Sequence, residues 1–284
     1  MSVPNLPTAF LHGLQSIAAR KARPQPFVDV GSLPWHEPGF SRHFLRTATR
    51  SSRHTQREIA FLERYGLLTP GHRILDLACG GGRHSVAMAQ RDAVVTGIDL
   101  GPAAIDAARR RAKRAGVHVE WLHGDLRHLP FENVFHVVTF IFGCFTEMPR
   151  RDAQAVLGRI SRSLRPGGTL LLDVYAPAFF ADLDGMQEWW VGGDFIAGRF
   201  PQLVLSEYFY YARNKTYARR DFICEAETGV VHAFGLSGQA YSLAELKRML
   251  AAAGLTLTTA CGDWQGAPAR RDSRLYVLLA SKDH

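Results

Sequence analysis

The chain has 284 residues, 46% hydrophobic and 21% charged, which is enough to bury a full core, as one large domain or as one domain with an appendage. Its net charge of +8 comes from 29 arginines and 5 lysines against 26 acids. No apolar run approaches the ~20 residues of a membrane span, and Cys79, Cys144, Cys224 and Cys261 lie too far apart for a CxxC metal site or a disulfide framework.

Residues 1–28 hold no acid and carry Arg20, Lys21 and Arg23. They read as a poorly ordered basic leader, with a transit peptide as the alternative; the charges follow the apolar stretch, the reverse of a secretory signal. Reduced thiols make the cytoplasm the expected compartment. The segment 33–46, "LPWHEPGFSRHFLR", is rich in Trp, His and Arg. It is expected to be a lid over a ligand or a helical cap on the core, and 1–54 is taken as one N-terminal unit.

From residue 47 to 67 the apolar spacing predicts a helix, with Ile59, Leu62 and Leu67 on one face. An alternating series follows: strand 73–77, helix 83–91, strand 93–100, helix 102–116, strand 117–125, strand 134–143, helix 150–164, strand 169–175. Alternation of buried strands with helices predicts a mostly parallel sheet covered on both faces. Residues 176–240 break the rhythm with "QLVLSEYFYYA", "TYARRDFICEA" and "VVHAFGLS", a predicted antiparallel meander. Helix 242–254 and strands "TLTTACG" and "RLYVLLAS" complete the chain. The basic clusters at 108–114, 150–151, 219–220 and 270–271 are dispersed, which disfavours a nucleic-acid face.

The stretch "ILDLACGGGRHS" (74–85) places three glycines between a strand and a helix, where a bare backbone can approach a ligand. Dinucleotides and S-adenosylmethionine (SAM) both use such a turn. The dinucleotide fingerprint G-x-G-x-x-G fails at its third glycine, which is Ser85. Asp99, closing the second strand, suits the ribose hydroxyls of either ligand. Asp76 beside the turn opposes a pyrophosphate but tolerates a cationic sulfonium. Asp125, in "GDLRHLPF" after the third strand, is placed to accept from an adenine amino group.

Together "LDLACGGGRH", "GIDLGPAAIDAARRRA", "GDLRHLPF" and "LRPGGTLLLDV" resemble the successive motifs of the class I SAM-dependent methyltransferases. "YSLAELKRMLAAAGL" is similar to the helix after the variable insertion in their small-molecule branch. The resemblance spans roughly 55–280. It implies a Rossmann-like α/β fold with a seven-stranded, mostly parallel sheet, an antiparallel insertion at 176–240 over the acceptor site, and an N-terminal helical cap. Two positions depart from the pattern: Ala78 replaces a glycine, and His136 replaces an Asp opening the fourth strand.

Carried over, the resemblance implies that Asp76, Ala78, Cys79, Gly80 and Gly82 line the methionine and ribose side of SAM. Asp99 binds the ribose, Leu100 packs on adenine, and Asp125 and Leu126 hold the adenine edge. Phe140 and Ile141 pass beneath the methionine. Read separately from the resemblance, 33–46 as a lid would set Arg42 or Arg46 near the methionine carboxylate and Trp35 over the site, whereas as a cap it would pack on the core. Cys79 reads as a small core residue, and Arg83 and His84 as residues solvating the first turn of a helix.

No catalytic triad is visible, and a displacement at an activated sulfonium needs none. Glu147, Glu207, His232 and Tyr241 are the candidate bases, each with an alternative reading as a surface or packing residue. Asp173 either faces the acceptor or caps a turn. The expected activity is methyl transfer from SAM, leaving S-adenosylhomocysteine, to a small or medium organic acceptor suited to the aromatic meander. "FIFGCF" lacks the Asn/Asp-Pro-Pro corner of amino methyltransferases acting on flipped bases. RNA methylation and a non-catalytic SAM-binding role stand as the alternatives. No metal and no membrane partner is expected, and the oligomeric state stays open, a homodimer included.

Overall fold

A computed structural model describes residues 15, 22–30, 52–192, 202–225, 228 and 230–283. The chain divides into two compact units, residues 52–179 with 240–283 and residues 22–30 with 180–239.

The first unit is the predicted alternation. Its elements are α1 (Ser52–Arg64), β1 (Arg73–Leu77), α2 (Arg83–Ala89), β2 (Val94–Asp99), α3 (Pro102–Ala115), β3 (Glu120–His123) and β4 (Phe135–Phe140). After α4 (Arg150–Ser163) and β5 (Leu164–Tyr175) the chain passes to the second unit within α5 (Pro177–Leu183); it returns with α6 (Leu243–Ala252), β10 (Leu255–Cys261) and β11 (Leu275–Lys282). The sheet runs β10-β11-β5-β4-β1-β2-β3. β1 pairs in parallel with β2 and β4, β2 with β3, and β4 with β5, while β11 is antiparallel to both neighbours. This is the expected seven-stranded Rossmann-like sheet.

Strand alternation divides the core between the two faces. Leu75, Leu77, Val138 and Phe140 join Leu157 and Ile160 of α4 and Leu246 and Leu250 of α6. Ile74, Val95 and Val137 join Ile59 and Leu62 of α1 and Met88 of α2 on the other face. The helix ends follow local chemistry. Pro102 opens α3 and Gly116 closes it in the left-handed conformation, and Ser242 with Glu245 forms a capping box on α6.

Residues 177–183, expected to open the meander, form a helix, and three strand boundaries also differ from expectation. β5 begins at Leu164, so "LRPGG" is strand, its pairing to β4 shifted between Phe135 and Val137. β3 is four residues long, against nine expected. β4 stops at Phe140, because Phe142 and Gly143 turn to φ 89° and 69° and a 3-10 turn follows over Cys144–Glu147.

The second unit is a four-stranded antiparallel meander of β6 (Gln187–Gly192), β7 (Gln202–Tyr211), β8 (Thr216–Glu225) and β9 (Val231–Gln239). Its register pairs Ser206 with Asp221, Tyr208 with Arg219 and Tyr210 with Tyr217 on one face. Glu207 with Arg220 and Phe209 with Ala218 occupy the other. Tyr217 and Phe222 are buried, and Tyr208 to Tyr211 are half-buried. Residues 22–30 are not the loose leader expected. The Arg23 guanidinium lies 5.5 Å from the Phe209 ring centre and 5.1 Å from that of Tyr211, and pairs with Asp184 at 2.6 Å. The amide of Phe27 donates to Ser237 Oγ at 3.0 Å. The predicted N-terminal cap and lid, with Trp35, Arg42 and Arg46, lie outside the described residues.

Candidate functional site

Parallel strands send their carboxyl ends to one edge, and the order reverses between β1 and β4, where open α/β sheets bind ligands. Residues 78–82, Leu100 with Gly101, Gly124 with Asp125, and 141–143 gather there because each follows β1, β2, β3 or β4.

Asp76, the penultimate residue of β1, is buried and turns inward. Its carboxylate accepts from Ser85 Oγ of α2 and from Thr139 Oγ1 of β4 at 2.9 Å. It therefore bolts strand, helix and neighbouring strand together beneath the loop. Ala78 takes φ 50°, a conformation that penalises any residue with a Cβ, so the departure from glycine is a strained one. Cys79 is buried, and burial pushes its thiol pKa up, with Asp76 and Asp99 adding to the effect, which suits the core role.

Two glycines of the turn differ in function. Gly80 has φ 53°, and a Cβ on it meets nothing within 4 Å. Gly82 has φ 72°, and a Cβ there falls 2.6 Å from Trp121 Cη2 and 2.9 Å from Ala108 Cβ. Gly80 leaves backbone open to a ligand; Gly82 lets α2 pack on α3 and β3.

Asp99 is half-buried and accepts from Gly80 N and Gly101 N, both at 2.8 Å. Burial raises its pKa; the two amides oppose that and the Asp76 carboxylate adds to it. Each oxygen keeps a second lone pair for a diol. Leu100 next to it is 39% exposed, an apolar platform at the strand end. Asp125 accepts from the Arg127 amide at 2.8 Å and from its guanidinium at 2.6 and 2.9 Å, which holds its pKa below the ordinary carboxylate range. Leu126 follows, half-buried. Phe140 and Ile141 point their side chains into opposite cores, so main chain is what they offer the edge.

The candidate bases separate. Tyr241 has a fully buried ring 5.5 Å from that of Phe145, and its hydroxyl has no partner among the described residues. Burial drives its pKa far up, which suits a core phenol. Glu207 is paired with Arg220 at 2.8 Å and His232 with Glu225 at 2.9 Å, both pairs within the meander. Glu147 ends the 3-10 turn after β4 and is half-buried. Asp173 is buried and caps that turn, accepting from Gly143 N at 2.7 Å.

Two further residues were invisible to sequence reasoning. Glu58 of α1 is buried and accepts from His84 Nε2 at 2.8 Å and from Arg83. Burial works against its charge, but these two donors hold its pKa down at about 2. Arg83 and His84 are thus clamped inward, not solvating the helix start. Phe142, left-handed at φ 89°, sets its ring 5.9 Å from the Arg83 guanidinium carbon. The sequence signal for this cluster is one acid and two adjacent bases 25 residues apart, which no spacing rule connects.

The open backbone at Gly80, the half-buried Asp99 carboxylate and the exposed Leu100 lie together at the carboxyl ends of β1 and β2. A family model for a methyltransferase domain matches residues 74–168, the stretch that holds these groups. A cypemycin N-terminal methyltransferase of Streptomyces sp. is 30% identical over 218 residues, covering 75% of this chain and 84% of the relative.

The chain is a class I SAM-dependent methyltransferase.

The solved structures agree on the fold. The CcbJ methyltransferase of Streptomyces caelestis superposes with a TM-score of 0.70 at 19% identity, covering 88% of this chain and 99% of that one. The sugar N-methyltransferase KedS8 of Streptoalloteichus gives 0.64 at 20% identity, covering 93% and 100%. The methyltransferase uses SAM as its methyl donor, and the dinucleotide alternative falls with the third glycine.

Proposed function

We propose that this methyltransferase modifies a small or medium organic acceptor and binds its donor along the carboxyl edge of β1, β2 and β3. Asp99 accepts from the ribose hydroxyls, Leu100 packs on the adenine face, and Asp125 with Leu126 borders the adenine edge. The loop from Ala78 to Gly82 and the main chain of Phe140 and Ile141 border the remainder. The observation that carries this reading is the Gly80 amide held on Asp99 at 2.8 Å, which fixes an open backbone beside a carboxylate with spare lone pairs.

The donor supplies a methyl group on a sulfonium that is already activated. The protein's part is then alignment and exclusion of water, and orientation of this kind contributes up to ~7–11 kcal/mol in well-positioned reactions. Where the acceptor carries a proton, Glu147 is the carboxylate placed after β4 to receive it.

The relative named as an N-terminal methyltransferase supports an amine among the candidate acceptors. No helix among the described residues is long and apolar enough to cross a membrane, and free thiols support work in the cytoplasm. The test supplies methyl-labelled SAM to an extract of small metabolites and, separately, to bulk RNA over a salt series. Label is expected in the low-mass fraction. Robust RNA labelling that falls steeply with salt rejects the acceptor class.

A further inference from the structure

Arg83, the first residue of α2, has a divided guanidinium. One edge is spent inside the protein: Nη1 donates to the buried Glu58 carboxylate and, at 3.1 Å, to Thr55 Oγ1. Nη2 is buried and has no partner among the described residues. A buried cationic donor without an acceptor is a standing penalty, and native proteins rarely leave one in place without a ligand or water to meet it. Glu58 is in turn pinned by His84 Nε2 at 2.8 Å, so the fork is held from behind.

Its position says what it meets. The sheet order β4-β1-β2 sets Asp99 on one side of β1. The Arg83 guanidinium lies toward the other side, 5.9 Å from the ring of Phe142 just past the end of β4. A ligand whose ribose rests on Asp99 and which crosses the glycine loop presents its opposite end here. In SAM that end is an α-amino acid, whose carboxylate is the anionic, planar group that a guanidinium edge recognises.

We propose that Arg83 receives the methionine carboxylate of the methyl donor through its free edge and that Glu58 is the residue positioning it. This rests on the assignment of the adenosine end given above. The experiment is calorimetric titration of S-adenosylhomocysteine and of 5′-methylthioadenosine, which lacks the amino-acid end. Wild type, Arg83→Met, Arg83→Lys and Glu58→Gln are compared, with thermal unfolding to confirm the fold.

Arg83→Met is expected to weaken S-adenosylhomocysteine by roughly 10- to 100-fold, the range of a charge-assisted pair at ~1.4 kcal/mol per decade, while leaving methylthioadenosine unchanged. Arg83→Lys should restore part of the loss. Glu58→Gln should shift the preference between the two ligands in the same direction by a smaller factor, which a purely structural role would not do. If Arg83→Met does not fold, Arg83→Lys carries the test, with the preference for S-adenosylhomocysteine reduced several-fold. An unchanged preference in the folded variants overturns the role of Arg83 alone. Wild type binding neither ligand overturns the adenosine assignment beneath it.

Discussion

Gly80 and Gly82 stand two residues apart in the same turn, both left-handed, yet replacing them with alanine should give opposite phenotypes. At Gly82 the new methyl lands 2.6 Å from Trp121 Cη2, 2.9 Å from Ala108 Cβ and 3.2 Å from Ala108 Cα. The left-handed conformation costs ~1–2 kcal/mol for an L-residue, and overpacking ~1–3 kcal/mol. The less flexible unfolded chain offsets ~0.4–1 kcal/mol. The net loss for Gly82→Ala centres near ~3 kcal/mol, or a fall of roughly 6–12 °C in melting temperature for a domain of this size. Gly80→Ala has the same backbone penalty but meets no atom, so its loss of stability is ~0–1.6 kcal/mol. Its methyl instead enters the space assigned to the donor, where it should cost at least about tenfold in affinity for S-adenosylhomocysteine. Urea unfolding followed by tryptophan fluorescence and calorimetric titration separate the two effects. A Gly82→Ala protein with the wild-type midpoint, or a Gly80→Ala protein with wild-type affinity, refutes the division of labour.

Two other outcomes follow from the same unit. Asp99→Ala should weaken S-adenosylhomocysteine by ~1.5–3 kcal/mol through loss of charge-assisted hydrogen bonds to the ribose, and unchanged affinity by calorimetry removes Asp99 from the site. Glu58, held at about 2 against 4.5 when unfolded, contributes stability that is fully present above pH 4.5 and is lost as pH falls toward 2. At ~1.4 kcal/mol per pH unit of depression that amounts to about 3 kcal/mol, so Glu58→Gln should flatten the acid limb of a stability-versus-pH curve. An acid limb identical to wild type contradicts the buried ion cluster.

Sequence pattern carried the sheet because its signal is local. The apolar runs 74–77 and 135–140 are buried strands whatever surrounds them, and Ser242 with Glu245 announces a helix start in four letters. The errors arose where distant contacts overrule local preference. Pro166 and Gly167 fall in the gap between the predicted helix 150–164 and strand 169–175, yet the chain around them belongs to the start of β5. Tyr241 read as a candidate base because a hydroxyl is visible in the sequence and its burial is not. Asp125 was placed correctly after β3, and Arg127 two residues on was a legible hint that its carboxylate has a resident partner. Glu58 gave no hint. An acid on a helix face is ordinarily solvated, and only the fold brings it to Arg83 and His84.

β11 follows every other strand in the chain but sits inside the sheet, antiparallel between β5 and β10. While the chain is being synthesised, β1 to β5 can assemble with their helices as soon as they emerge. β10 has no strand to join until residues 275–282 arrive, and until then one side of β5 offers unpaired amides and carbonyls to any passing strand. The edge proposed to bind the donor therefore belongs to the part that can pair before β11 arrives. Closing the exposed flank falls to β11, and until it pairs, that side of β5 is a template for mispairing.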